Sequence, residues 1–143
     1  VGGRERFLAS KETYYVINVP VPNTDPPRRR FVQLRTLEDA DVAAAVHNVA
    51  LQPGGRWFAD VGVDDASRVE CVLGEGVAET LGADAGKPRL APGDTFVMGD
   101  MTWVVTGVMR SEGTTFGSEV WARRFSRIYE PLGKRTYTTL VLR

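Results

Sequence analysis

Nine residues without a charge, Met101-Thr102-Trp103-Val104-Val105-Thr106-Gly107-Val108-Met109, constrain this chain more than any other stretch. They are rich in β-branched and aromatic side chains, which suit a pleated strand. Strict alternation puts Trp103, Val105 and Met109 on one side and Val104, Thr106 and Val108 on the other. Both sides are mostly apolar, so the stretch reads as a central strand covered on both faces. A shorter strand, Thr95 to Met98, precedes it. Gly99-Asp100 between them has the length of a tight hairpin, with glycine where a type II′ turn requires it. Downstream, Ser111 to Ser118 is a glycine-punctuated loop that leads into Glu119-Val120-Trp121.

Other elements follow from the same kind of pattern. Thr13 to Val19 alternates as a strand, with Tyr15, Ile17 and Val19 opposite Tyr14, Val16 and Asn18. Pro20 to Pro27 holds four of the eight prolines, an irregular loop. Arg30 to Leu34 resumes as a strand, and a connection of about ten residues predicts a wide hairpin or a sheet crossing. Thr36 to Val49 reads as a helix: Thr36 is the N-cap, Asp39 imitates a capping box, and Val42, Ala45, Val46 and Val49 form one apolar stripe. Ser67 to Leu73 is a buried strand, followed by a short helix over Val77 to Leu81. Trp121, Phe125, Ile128 and Leu132 are spaced for an amphipathic helix over Val120 to Tyr129, and Thr136 to Leu142 is a final strand. The fold class predicted is α+β, a mixed or antiparallel sheet with two to three packed helices in a single domain over 1–143.

The chemistry is sparse. Lys plus Arg and Asp plus Glu both number 18, so there is no basic excess of the kind a nucleic-acid partner draws. Arg28-Arg29-Arg30 is the one basic cluster, and it reads as a solvated strand entrance. The single cysteine, Cys71, lies in an apolar run and reads as a core residue. His47, the only histidine, reads as structural at a helix end. Asp60, Asp64 and Asp65 lack the glycine and glutamate of a calcium loop, so no metal is expected. Gly74-x-Gly76-x-x-Glu79 between strand and helix imitates the opening of a dinucleotide motif, but Glu79 occupies the third glycine position. The pattern reads instead as a tight strand-to-helix turn, and no cofactor is expected. No run of about 18 apolar residues offers a membrane helix. A start at Val1-Gly2-Gly3 and an end inside a strand suggest a piece excised from a longer polypeptide.

Four segments in order carry a resemblance. They are Leu73-Gly74-Glu75-Gly76-Val77-Ala78-Glu79-Thr80-Leu81-Gly82, Leu90-Ala91-Pro92-Gly93-Asp94, Trp103-Val104-Val105-Thr106-Gly107-Val108 and Gly117-Ser118-Glu119-Val120-Trp121, with Gly54-Gly55-Arg56-Trp57-Phe58 before them. Together they resemble the extracytoplasmic core domain of MacB/FtsX-type ABC-transporter permeases, over about residues 45–142 and more loosely the whole chain. The resemblance implies a periplasmic or extracellular domain held between two membrane helices of a permease. Such permeases act as dimers beside a cytoplasmic ATPase, whose motion moves these domains. Residues 13–110 then correspond mainly to an inserted mixed α/β lobe and 119–143 to the return toward the porter part. The family has no catalytic or metal set in this domain.

The leading expectation is therefore a non-enzymatic domain that engages a partner protein or a lipoprotein cargo and relays ATP-driven motion. A free-standing module for a small ligand or peptide is the first alternative. A nucleotide-dependent enzyme through Gly74 and Gly76 is the second. Contacts to partners belong on loops carried by a rigid scaffold. The candidates are Pro22 and Asn23, Arg56 and Trp57, and Glu112, Thr114, Thr115 and Phe116.

Overall fold

The first two strands form the longest hairpin of the molecule. β1 (Ala9–Val21) and β2 (Arg28–Leu37) pair antiparallel from Glu12 opposite Leu37 to Val21 opposite Arg28. The proline-rich connection is thus shorter than the sequence suggests, because Pro20 and Val21 still pair across to Arg29 and Arg28. Thr24 fixes the turn: its Oγ1 donates to the Val21 carbonyl at 3.0 Å and accepts the Arg28 N–H at 2.9 Å. In the computed structural model, residues 9–58, 68–99, 101–111, 114–123 and 136–142 are described.

Helix α1 (Ala40–His47) is capped three residues later than predicted. Its N-cap is Asp39, which accepts the Val42 N–H at 3.1 Å. Thr36 and Leu37 remain in β2, fully buried and paired to a neighbouring strand, and that pairing outweighs the capping potential of Thr36. Asn48 closes the helix in the left-handed region at φ 55.

β3 (Arg68–Gly74) runs straight into α2 (Glu75–Asp84). The hairpin of β4 (Thr95–Met98) and β5 (Met101–Met109) follows, with Gly99 at φ 58 as its turn requires. A short 3₁₀ turn, Thr115–Ser118, leads into β6 (Glu119–Arg123), and β7 (Thr136–Leu142) comes last. The seven strands among the described residues form one sheet in the order β4-β5-β3-β6-β2-β1-β7. The β5–β3 and β6–β2 pairs are parallel and the other four antiparallel. The fold is α+β with a mixed sheet, as the sequence predicts.

Two expectations are corrected. The segment from Val120 is a strand at Glu119–Arg123, wedged between β3 and β2, and not the start of a helix. Glu119 through Ala122 are buried, and a short strand apolar on both faces cannot be told from a helix by periodicity. Phe125, Ile128 and Leu132, the rest of the predicted stripe, lie outside the described residues. The second correction concerns β5. A bulge pairs Cys71 with Val105 but Val72 with Gly107, so Thr106 is an extra residue. Beyond it the faces exchange: Val108 joins Trp103 and Val105, whereas Met109 crosses to the other side.

The core accordingly has two parts. On the α2 face, Tyr15, Ile17, Leu34, Cys71, Leu73, Trp103 and Val120 pack beneath Val77, Ala78 and Leu81 of the helix. On the α1 face, Leu37, Val72, Met109 and Trp121 pack beneath Ala40 and Ala43. Trp103 is wholly buried, and its indole N–H donates to the Met98 carbonyl at 2.8 Å.

Candidate functional site

The α1 face differs from the other in carrying charge at its centre. Alternation places Glu12 and Tyr14 of β1, Gln33 and Arg35 of β2, and Glu119 and Trp121 of β6 on this one side. Tyr14 lies opposite Arg35, and Gln33 and Arg35 lie opposite Glu119 and Trp121. Arg35 is the hub. Its Nε and Nη2 donate to the two carboxylate oxygens of Glu119 at 2.7 and 2.9 Å, a bidentate pair. Its Nη1 donates to Glu12 at 2.5 Å and to the Tyr14 hydroxyl. The last turn of α1 delivers His47, whose Nε2 lies 2.8 Å from Glu12 Oε2. Trp121 Nε1 donates to Glu119 at 2.9 Å.

Glu12, Arg35 and Glu119 are 0%, 5% and 2% exposed, so all three ions are out of water. Such burial costs several kcal/mol per ion, and only good geometry with further hydrogen bonds offsets it. Here both conditions hold. Burial pulls the guanidinium of Arg35 down, and its hydrogen bonds and charge attraction to Glu119, with a smaller share from Glu12, more than compensate, so it is held above its ordinary value. Burial likewise pushes the Tyr14 phenol up to about 12, with Arg35 opposing and Glu12 adding to the shift. One arginine faces two carboxylates, and His47 balances the second only when it is protonated.

Aromatic rings close over this network. His47 meets Phe116 edge-on at 4.8 Å and Trp121 at 5.5 Å, and Trp57 stacks on Trp121 at 6.0 Å. The loop residues proposed from sequence are thereby divided. Phe116 and Trp57 are half-buried parts of this wall, and Thr115 lies on the rim of a depression with Tyr14, Gln33, Arg35 and Glu119. Arg56 is exposed and bridges to both oxygens of Glu70. Thr114 donates to the Ser111 carbonyl at 2.8 Å. Pro22 lies elsewhere, lining an apolar cleft of about 310 Å³ with Leu81, Leu90 and Phe96, and Asn23 takes the left-handed conformation in the turn. Glu112 lies outside the described residues, as do Asp60, Asp64 and Asp65.

The glycines of the strand-to-helix turn face protein, not open space. A Cβ on Gly74 would overlap the Phe116 carbonyl and come within 2.6 Å of Gly117, and one on Gly76 would come within 2.9 Å of the Gly117 oxygen. The 3₁₀ turn is seated on the start of α2, where a dinucleotide pyrophosphate would need to lie. Glu75 and Ser111 lock it there reciprocally: the Glu75 N–H donates to Ser111 Oγ and the Ser111 N–H to Glu75 Oε1, both at 2.9 Å. Cys71 is fully buried, and burial pushes its thiol up, so it is no ready nucleophile. Among the described residues no His, Cys, Asp or Glu cluster could hold a metal ion. Every charged member of the network is already engaged with another, which suits it to holding β1, β2, β6 and α1 together.

Comparison with known proteins gives this architecture a context. The sequence profile of the MacB-like periplasmic core domain matches residues 9–142. The chain belongs to that family. This MacB-like domain also resembles in fold the periplasmic region of MacB from Actinobacillus actinomycetemcomitans, with a TM-score of 0.65 at 16% identity. That match covers 94% of this chain and 56% of the other. A second likeness is to the extracellular domain of the noncanonic ABC-type transporter YknZ from Gram-positive bacteria. There the TM-score is 0.52 at 18% identity, over 79% of this chain and 53% of the other. The chain thus spans little more than half the length of either solved structure. No curated protein gives a significant sequence match. Among the described residues, no helix is long and apolar enough to cross a membrane. The MacB-like family is the extracytoplasmic part of ABC-transporter permeases, and the resemblance read from the sequence is thereby shown.

Proposed function

We propose that this domain is the moving extracytoplasmic part of a permease subunit, engaging a partner protein or cargo and relaying ATP-driven motion without catalysis of its own. One observation carries the reading beyond family membership. β1 and β7 pair antiparallel with Ala9 opposite Leu142, so the chain arrives and departs side by side at one end of the sheet. A domain borne between two membrane helices needs that arrangement, because both connections then meet the same bilayer surface. In this reading residues 13–110 form the working lobe, residues 119–143 return the chain toward the membrane, and a second permease subunit and a cytoplasmic ATPase complete the machine. The buried network is the stiff element through which displacement at the membrane end reaches α1 and the loops. Arg56, Trp57, Thr114, Thr115 and Phe116, with Pro22, Asn23 and Glu112, are the proposed contact positions.

Topology tests the reading directly. In the full-length permease, a Thr115→Cys variant should react with a membrane-impermeant maleimide in intact spheroplasts, since Thr115 is exposed and the native Cys71 is buried. Labelling only after lysis would place the domain on the cytoplasmic side and end the proposal.

A further inference from the structure

The structure carries a second surface that none of the loop candidates includes. β2 is paired with β1 along its whole length, but on its other edge β6 reaches only from Gln33 to Leu37. Among the described residues, Arg28 through Val32 therefore have no strand on that side. A groove of about 410 Å³ runs along this open edge, with Val32, Val77 and Leu81 among its apolar lining and Thr80 and Ser118 supplying hydroxyls. Phe31 stands at its rim, 75% exposed, the most exposed of the large hydrophobic side chains among the described residues. Arg29 lines it too, and among the described residues neither Arg28 nor Arg29 has an ion-pair partner, whereas Arg30 is held by Asp84 at 2.5 Å.

We infer that this edge is a docking groove for an extended segment of a partner protein, one carrying an apolar side chain flanked by carboxylates. An unpaired strand edge offers backbone N–H and C=O groups in the spacing of another strand, which is the basis of recognition by strand addition. An exposed aromatic at the rim of a groove of mixed polar and apolar lining supplies an anchor. Charge selects the partner. Arg28, Arg29 and Arg30 against Asp25 and Asp84 leave one positive charge at this end of the hairpin, so an acidic segment is favoured and a basic one repelled. A membrane surface is the rival occupant for a basic aromatic patch. It is disfavoured because the groove lies toward the far end of β1 from Ala9 and Leu142, with Phe31 opposite Asn18, about 30 Å away at about 3.3 Å per residue. That choice of protein over lipid rests on the proposed placement of the chain ends.

The test is selection from a random peptide library against the 143-residue chain, with anionic phosphatidylglycerol vesicles as a parallel probe. Selected peptides should share an apolar residue next to Asp or Glu and weaken as salt rises. Phe31→Ser and Arg29→Glu should each lower their affinity by about tenfold or more while leaving the melting temperature unchanged, since both side chains are exposed. N-methylation of alternate peptide nitrogens in the selected sequences should abolish binding. Peptides without acidic bias, or binding indifferent to both substitutions, would overturn the inference. So would vesicle binding that depends on Phe31 and Arg29 when no peptide is selected; because Thr115 labelling reports topology separately, that result would not by itself decide the transporter reading.

Discussion

The two faces of the sheet are solved by different physics. The α2 face is a conventional apolar core, in which Trp103, Leu34, Leu73 and Tyr15 are 1% exposed or less. The α1 face buries as deeply but builds its centre from Glu12, Arg35 and Glu119 under a lid of aromatic rings. Apolar contact is tolerant of small shifts, because dispersion is non-directional and close packing admits many near-equivalent arrangements. A bidentate ion pair out of water is not tolerant: it fixes the mutual register of β1, β2 and β6 and the angle at which α1 arrives. One face thus supplies stability and the other a defined geometry. For a domain proposed to transmit displacement, the second property is the useful one.

The comparison is broken most severely by Arg35→Ala, which strands two buried carboxylates. Loss of one partner from a buried pair costs about 3–5 kcal/mol, and with two carboxylates uncompensated the upper part of that range is expected in urea unfolding. Replacing the set together, as Glu12→Leu, Arg35→Met and Glu119→Leu, should recover most of the loss, because apolar groups of similar volume need no pairing. A triple variant as unstable as Arg35→Ala would show that the face depends on shape more than on charge. Trp103→Ala on the other face removes a fully buried ring and one hydrogen bond, for about 3–5 kcal/mol. Equal unfolding midpoints for wild type and Trp103→Ala would contradict the core assigned to the α2 face.

The sequence shows the α2 face far better than the α1 face. Its strands alternate plainly in Tyr15-Ile17-Val19, and the hairpin over Thr95 to Met109 is legible down to its glycine. What it hides is long-range. Nothing local to Thr106 announces a bulge, yet that one residue reverses the faces of Val108 and Met109. The charged network is equally hidden, since Glu12, Arg35 and Glu119 come from three strands, with the bidentate partners 84 positions apart in sequence. The one available signal is local. Arg35 and Glu119 each adjoin apolar strand sequence where a lone charge needs a partner, but no spacing rule says which charges meet. His47 meets Glu12 from 35 residues away, a partner that no local pattern makes visible. Val120 to Arg123 was misassigned because a buried strand lacks the alternation that would distinguish it.

A smaller change tests the seam between the faces. Gly74→Ala would drive a Cβ into the backbone of Phe116 and Gly117, so the 3₁₀ turn must lift from α2. The expected cost is about 1–3 kcal/mol, as for overpacking elsewhere. It should be accompanied by faster amide exchange at Gly117, whose N–H donates to the Thr114 carbonyl at 3.3 Å. Unchanged exchange there would mean that the turn does not depend on the close approach.

Titration distinguishes the faces without mutation. Burial raises the Tyr14 phenol in the folded state to about 12 against an ordinary value near 10. A raised value favours the neutral phenol in the native state. Its contribution is therefore fully present below about pH 10 and is lost as pH rises toward 12. Alkaline absorbance titration should show a late component from the Tyr14 phenol, and Tyr14→Phe should remove that component. A late step that persists in Tyr14→Phe would assign it to another ring.

The smallest effect belongs to the pair that ties the hairpin to α2. Arg30 donates to Asp84 at 2.5 and 2.8 Å, a geometry as good as that of Arg35 and Glu119, but the arginine side chain is 43% exposed. Solvent screening reduces such a pair to about 0.2–1 kcal/mol, so Arg30→Ala should cost no more than that. The sign with pH is the reverse of that for Tyr14. The hydrogen bond from Arg30 holds the Asp84 carboxyl below its ordinary value, so its contribution is present above about pH 3.9 and fades as pH falls through the lower folded value. Thermal melts of wild type and Asp84→Asn should therefore converge toward acid and differ slightly at neutral pH. The small difference should shrink further in high salt. A gap near that of Arg35→Ala would mean that water screens this edge far less than its exposure implies, and the contrast drawn between the two kinds of ion pair would fail.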